Sequence, residues 1–136
     1  MNAKGFTLDT NIITALIKKD ERVKSKINEA YEKNLCVTIN AITYYEIKRG
    51  LGKIGRLGKI KEFENICHNL EILFIDEKEI LDYASSLWVN LSQKGLAIED
   101  ADILIASIAT VKGYILVSND SDFERVTGLK VENWLK

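Results

Sequence analysis

At 136 residues, with no proline and few glycines, the chain has room for one domain with a real core, residues 1–136, and no linker divides it. A formal net charge of −1 announces no nucleic-acid binder as a whole, so any basic surface must be local. Cys36 and Cys67 stand far apart without metal spacing, no apolar leader is visible, and the longest apolar stretch, Ile103 to Val111, is too short for a bilayer. These features fit a cytoplasmic protein whose thiols stay reduced and serve packing.

The pattern along the chain alternates strands and helices. Phe6-Thr7-Leu8 reads as a short first strand. Thr10 and Asn11 can cap a helix through Ile12, Ile13, Leu16 and Ile17, and a second helix runs from about Glu21 to Lys33. Leu35 to Ile39 is the second strand. A helix from about Ala41 to Arg49 should stop near Gly50 and Gly52, and another spans roughly Leu57 to Asn69. Glu71 to Ile75 is the third strand. Asp76 can cap a long helix through Ile80, Tyr83, Ala84, Leu87 and Leu91 that ends near Gly95. Asp100 to Lys112 is apolar on most sides and should be a central, buried helix. Tyr114 to Val117 is a nearly continuous apolar strand, and Leu129 to Val131 a short edge strand. The order predicts an α/β sandwich around a mostly parallel sheet, whose sites gather at the carboxyl ends of the strands.

Four acidic motifs stand at the edges of these apolar segments. Asp9 lies in Leu8-Asp9-Thr10-Asn11, and Glu46 in Thr43-Tyr44-Tyr45-Glu46. Asp100 and Asp102 open the buried helix, and Asp120 and Asp122 lie in Ser118-Asn119-Asp120-Ser121-Asp122. Each acid has a plainer, structural reading. Asp9 or Asp100 can cap a helix, Thr43 and Glu46 form a capping box, and Asn119 to Asp122 can make an Asx-turn. Asp102 is harder to absorb, because capping needs only one of the two acids there. Converged, such carboxylates repel; a pair about 4 Å apart at an effective dielectric near 20 costs roughly 4 kcal/mol. A hard divalent cation turns that cost into affinity, and Mg²⁺ or Mn²⁺ among carboxylates commonly serves phosphate-ester chemistry. Other acidic motifs fit worse. Asp120-Ser121-Asp122 opens like an EF-hand loop, but Arg125 and Val131 stand where that loop needs Gly and Glu. Asp9-Thr10-Asn11 lacks the second Asp of a haloacid-dehalogenase phosphatase. There is no glycine-rich phosphate loop, and His68 has no acidic motif nearby.

These residues resemble the PIN-domain ribonucleases, in particular the VapC-type toxins of VapBC toxin–antitoxin pairs, over essentially the full length. The resemblance rests on Leu8-Asp9-Thr10-Asn11-Ile12, on Tyr45-Glu46-Ile47 with Gly50, and on Asp100-Ala101-Asp102-Ile103-Leu104-Ile105-Ala106. It rests also on Leu116-Val117-Ser118-Asn119 with Asp122-Phe123, and on the ending Gly128 to Trp134, which is similar to the branch specific for initiator tRNA. It implies a PIN-like three-layer α/β/α sandwich and metal-assisted hydrolysis of RNA that leaves 5′-phosphate and 3′-hydroxyl ends. Asp9 and Asp102 would be the principal Mg²⁺ (or Mn²⁺) ligands. Glu46 and Asp120 would hold a second ion or orient water. Thr10, Asn11, Asp100 and Ser118 would support them, with Asp122 as a supporting or capping residue. The fourth position is read as Asp120 because the segment is one residue shorter than in many relatives.

Substrate binding is read from the residues after Glu46. Lys48, Arg49, Lys53 and Arg56, continued by Lys59 and Lys61, form a local basic stretch that could clamp a sugar-phosphate backbone or merely be a solvated helical face. Tyr44 and Tyr45 could stack on bases, though core packing suits at least one of them. The resemblance further implies a homodimer and a VapB-like antitoxin, with Ile13, Ile17, Tyr44 and Tyr45 as candidate contacts. Two alternatives remain: a PIN nuclease of RNA processing without an antitoxin, and a non-catalytic PIN binding module. Retention of every acid opposes the last, because a module without metal would gain stability by losing the repulsion.

Overall fold

The computed structural model describes residues 3–136. Its centre is β1 (Gly5–Leu8), a tetrapeptide buried along its whole length, as expected of a strand covered on both faces. β1 pairs in parallel with β2 (Cys36–Asn40) on one side and with β4 (Ile115–Val117) on the other. β3 (Glu71–Leu73) adds outside β2 and β5 (Val131–Glu132) outside β4, giving the order β3-β2-β1-β4-β5. Every pairing in this sheet is parallel, so "mostly parallel" resolves to wholly parallel.

Paired helices make the crossovers. α1 (Thr10–Ile17) and α2 (Glu21–Glu32) lead from β1 to β2; α3 (Ala41–Lys53) and α4 (Leu57–Cys67) lead to β3; α5 (Lys78–Gln93) and α6 (Asp100–Lys112) lead to β4. A 3-10 helix, Ser121–Arg125, precedes β5. Leu8, Val37, Ile39 and Val117 pack against Ile12, Val23, Ile47 and Phe63 of the first four helices. Leu116 packs against Ala84, Leu87, Ile105 and Ala109, and Leu73 against Ile80 and Ile108. The helices thus form two layers around the sheet, an α/β/α sandwich. As its composition required, α6 is buried on most sides, and the hydroxyl of buried Ser107 is satisfied by donating to the Ile103 carbonyl at 2.6 Å.

Several sequence expectations shift. α3 does not stop at Gly50 or Gly52 but runs through both to Lys53, and the chain turns instead at Gly55, where φ is +66°. Packing of Ile47 and Leu51 against the core carries the helix past the glycines. Asp76 does not cap α5. Glu77 takes that position, and Asp76 pairs with Lys112 at 2.7 Å. β3 ends at Leu73 rather than Ile75, and β5 lies at Val131–Glu132 rather than Leu129–Val131. Cys36 is exposed, so the packing role holds only for half-buried Cys67. Among the described residues, no helix is long and apolar enough to cross a membrane.

Candidate active site

β1 and β4 lie side by side although their connections leave in opposite directions across the sheet, and a crevice forms beyond their carboxyl ends at such a switch point. Asp9 follows β1 directly. Its backbone N–H donates to the Val117 carbonyl at 2.9 Å, which extends the β1–β4 ladder and fixes its place. The residue is 5% exposed; its carboxylate accepts the Ser118 hydroxyl at 2.7 Å, and the same hydroxyl oxygen accepts the Asp120 N–H at 3.0 Å. Of the three cap candidates Asp9, Thr10 and Asn11, Asp9 occupies the N-cap position of α1, but it makes no side-chain cap bond, so its carboxylate remains available.

Thr10, in the first turn of α1, donates its hydroxyl to Glu46 at 3.1 Å. The capping box expected for Thr43 and Glu46 does not form. Asn40 caps α3 by accepting the Thr43 N–H at 2.8 Å, which leaves Glu46 in the second turn facing Thr10. Asn11 accepts the Asn119 N–H at 3.0 Å and so ties α1 to the loop after β4. In α6 the cap position falls to Glu99, not Asp100; Asp100 is exposed, while Asp102 is half-buried and faces the crevice. Asp120, not Asp122, does the capping in the last motif: its Oδ1 accepts the Asp122 N–H at 2.9 Å.

Asp9, Glu46, Asp102, Asp120 and Asp122 line one cleft of about 640 Å³, together with Thr10, Asn11, Thr14, Arg49 and Glu99. Carboxylate oxygens of Asp102, Asp120 and Asp122 lie within 4.8 Å of one another. Sequence reasoning missed Thr14 and Glu99; Asp122, read as a supporting or capping residue, lines the cleft and leaves the capping to Asp120. The helical spacing of Thr14, four residues after Thr10, was the available signal for the first.

The cleft works against its own ionisation. Burial, then the neighbouring charges of Asp120, Asp9, Glu99 and Asp122, push the Asp102 carboxyl up to about 7. Burial also raises Asp9, with Glu46 and Asp120 adding to it, while the Ser118 hydroxyl and the Thr10 N–H pull the other way. An all-oxygen donor set under such mutual repulsion fits a hard divalent cation, whose binding would relieve it.

The basic stretch separates. Arg49 lines the cleft, its guanidinium 5.0 Å from the centre of the exposed Tyr45 ring. Lys48 turns to Glu64 at 3.1 Å and to the Tyr44 hydroxyl, and Lys53 is exposed outside the cleft. Arg56 borders an adjoining groove of about 260 Å³ floored by Ile17, Ile47 and Leu51, which shares Thr10, Thr14 and Glu46 with the cleft. Ile13 and Ile17 are not the exposed contacts expected of them. Ile13 is wholly buried, Ile17 is 7% exposed, and Tyr44 packs on Phe63 at 5.3 Å; Tyr45 alone is open.

A family model described as the PIN domain matches residues 6–129. Ribonuclease VapC2 of Rickettsia felis is 33% identical over 96% of this chain and 98% of its own length. The tRNA(fMet)-specific endonuclease VapC of Salmonella typhimurium is 29% identical over 95% of this chain and 97% of its own. Among solved structures, VapBC2 from Rickettsia felis bound to a promoter DNA fragment superposes with a TM-score of 0.88 at 30% identity, covering 95% of this chain and 98% of that one. The chain belongs to the PIN-domain family and, within it, to the VapC ribonucleases.

Proposed function

We propose that the chain is a Mg²⁺- or Mn²⁺-dependent endoribonuclease toxin, acting in the cytoplasm as a single nuclease domain and neutralised by a cognate antitoxin. The observation that carries this reading is the convergence of Asp9, Glu46, Asp102, Asp120 and Asp122 on one cleft at the carboxyl ends of β1 and β4. Asp9 and Asp102 would hold the metal, with Glu46 and Asp120 holding a second ion or orienting water. When bound, the ion supplies Lewis acidity toward a phosphoryl oxygen and lowers the pKa of water. In the reaction water attacks phosphorus, the P–O3′ bond breaks and O3′ takes up a proton, leaving 5′-phosphate and 3′-hydroxyl ends.

The protein's own side chains set this up. Ser118 holds Asp9, and Thr10 holds Glu46. Arg49, the one cation lining the cleft among the described residues, offers its guanidinium to a substrate phosphate, and Tyr45 offers a ring to an unpaired base. The apolar groove that runs into the cleft at Thr10, Thr14 and Glu46 suits an antitoxin helix whose basic side chain reaches the acids. The VapBC complex of the Rickettsia relative supports such a partner, and the Salmonella relative makes initiator tRNA the first substrate to test. A homodimer belongs to the same reading.

The test is cleavage of total RNA by protein purified after co-expression with its neighbouring gene product. Cleavage should require Mg²⁺ or Mn²⁺, stop in EDTA and leave 5′-phosphate ends. Undiminished cleavage in EDTA overturns the metal reading. Absence of both a co-purifying partner and growth arrest on expression alone favours an RNA-processing nuclease.

A further inference from the structure

The loop after β4 carries two of the clustered acids, and its backbone is held at successive points. Ser118 N–H donates to the Glu132 carbonyl at 2.9 Å, and Asn119 N–H to Asn11 at 3.0 Å. Asp120 N–H donates to the Ser118 hydroxyl at 3.0 Å, and Asp122 N–H to Asp120 at 2.9 Å. One further bond leaves the cleft altogether. The Asn119 side-chain oxygen accepts Nδ2 of Asn133 at 2.7 Å, from the C-terminal segment.

Asn133 is a firm anchor. Its own oxygen accepts the Leu135 N–H at 2.9 Å. On one side stands Glu132 of β5, and on the other Trp134, 2% exposed and packed edge-on to Phe6 at 5.0 Å. Trp134 Nε1 donates to Glu132 at 3.0 Å, and the Arg22 guanidinium donates to the Leu135 carbonyl. The tail is therefore tied to the sheet, the core and α2 at once. From it a chain of three asparagines, Asn133, Asn119 and Asn11, runs to the first turn of α1 beside Asp9.

We propose that Asn133 is a positioning residue for the metal-binding carboxylates, acting through Asn119. Without an ion, the like charges of Asp102, Asp120 and Asp122 push the loop outward. The asparagine chain opposes that push and keeps the oxygens within ion-binding reach, so the cation meets a preformed site. This inference rests on the reading that these acids hold a divalent ion.

The experiment is a calorimetric Mn²⁺ titration of the full chain and of its Asn133→Ala, Asn119→Ala and doubly substituted variants. Each single variant should bind Mn²⁺ about 10-fold more weakly, the low end for outer-shell partners of a metal site. The double variant should be no weaker than either single one, because both remove the same link. Cleavage at limiting Mn²⁺ should fall in parallel and recover when Mn²⁺ is raised, with KM for RNA unchanged. Asn119 is exposed, so its variant remains a test should Asn133→Ala fail to fold. Wild-type affinity in Asn119→Ala, or full additivity in the double variant, overturns the proposal. Failure of the wild type to bind Mn²⁺ overturns the metal reading itself.

Discussion

At the scale of single residues, burial and charge decide what each acid does. The Asp102 carboxyl, ordinarily near 3.8, stands at about 7 in the folded protein. The folded state thus keeps a proton that the unfolded chain releases between those values. The stability this contributes is fully present below about pH 4 and is lost as pH rises through about 7. Asp9 shifts in the same direction. In EDTA the protein should melt lower at about pH 8 than at about pH 5, and Asp102→Asn should flatten that slope. With Mn²⁺ present the trend should reverse, because the ion competes with the proton; an unchanged profile with and without the ion refutes the coupling. Asp9→Asn and Asp102→Asn should each abolish cleavage while folding normally, with the metal-free melting temperature at or above that of wild type. Melting far below wild type would show the acids to be structural. The fourth acid can be ranked by its reach. Asp120 raises both Asp9 and Asp102, whereas Asp122 acts on Asp102 and leans to Arg125 at 3.6 Å. Asparagine at 120 keeps the cap acceptor but loses the charge, so Asp120→Asn should cost more cleavage than Asp122→Asn at equal fold. The reverse order in single-turnover rates would give the site to Asp122.

At the scale of elements, two glycines make opposite forecasts. A methyl on Gly5 would stand 2.0 Å from the Cys36 carbonyl oxygen, and backbone in a central sheet has little room to give. Gly5→Ala should therefore cost about 1–3 kcal/mol in denaturant unfolding, and a neutral result would mean that β1 and β2 can part. Gly52 sits inside α3 with nothing within 4 Å of its missing methyl. Gly52→Ala should stabilise by about 0.5–1 kcal/mol, and destabilisation would mean that the helix breaks there as the sequence suggested. This contrast explains what could be read from the chain. The apolar runs at Phe6–Leu8 and Ile115–Val117, and the buried helix from Asp100, declare themselves because burial on all sides leaves no other pattern. Helix ends do not, because packing of Ile47 and Leu51 outweighs a glycine's local cost. The acids could be named from their motifs. Which oxygen caps and which faces the cleft could not, because Asp120 does both and the exchange of Thr43 for Thr10 as the partner of Glu46 is a tertiary event. Asn133 lies in the ending that carried the resemblance, but that motif gave it no role to read: the role depends on Trp134 fixing the tail and on a bond to Asn119, fourteen residues back.

At the scale of the whole molecule, α5 stands out for its uncovered apolar side. From Tyr83 to Gln93 this helix carries no charge, in a chain whose residues are 29% charged, although one side of it faces outward. Ala84, Leu87 and Leu91 face the core, while Leu81, Trp88 and Val89 stand 52%, 50% and 44% exposed. Further round the helix a shallow recess of about 350 Å³ is lined by Ser85, Ser86, Val89, Asn90 and Gln93. Leu81, Trp88 and Val89 give the outer side of α5 a partly apolar strip, and a two-fold axis can pair such a strip with its own copy. The homodimer proposed above should therefore form through α5. Light scattering should give twice the chain mass for wild type, and Trp88→Glu should weaken the dimer at least about 30-fold, as loss of a central aromatic contact does. Its melting temperature as a monomer should change little, since half of the ring is already in water. A wild-type monomer, or a dimer indifferent to Trp88→Glu, would remove α5 as the contact and leave its apolar face to some other partner.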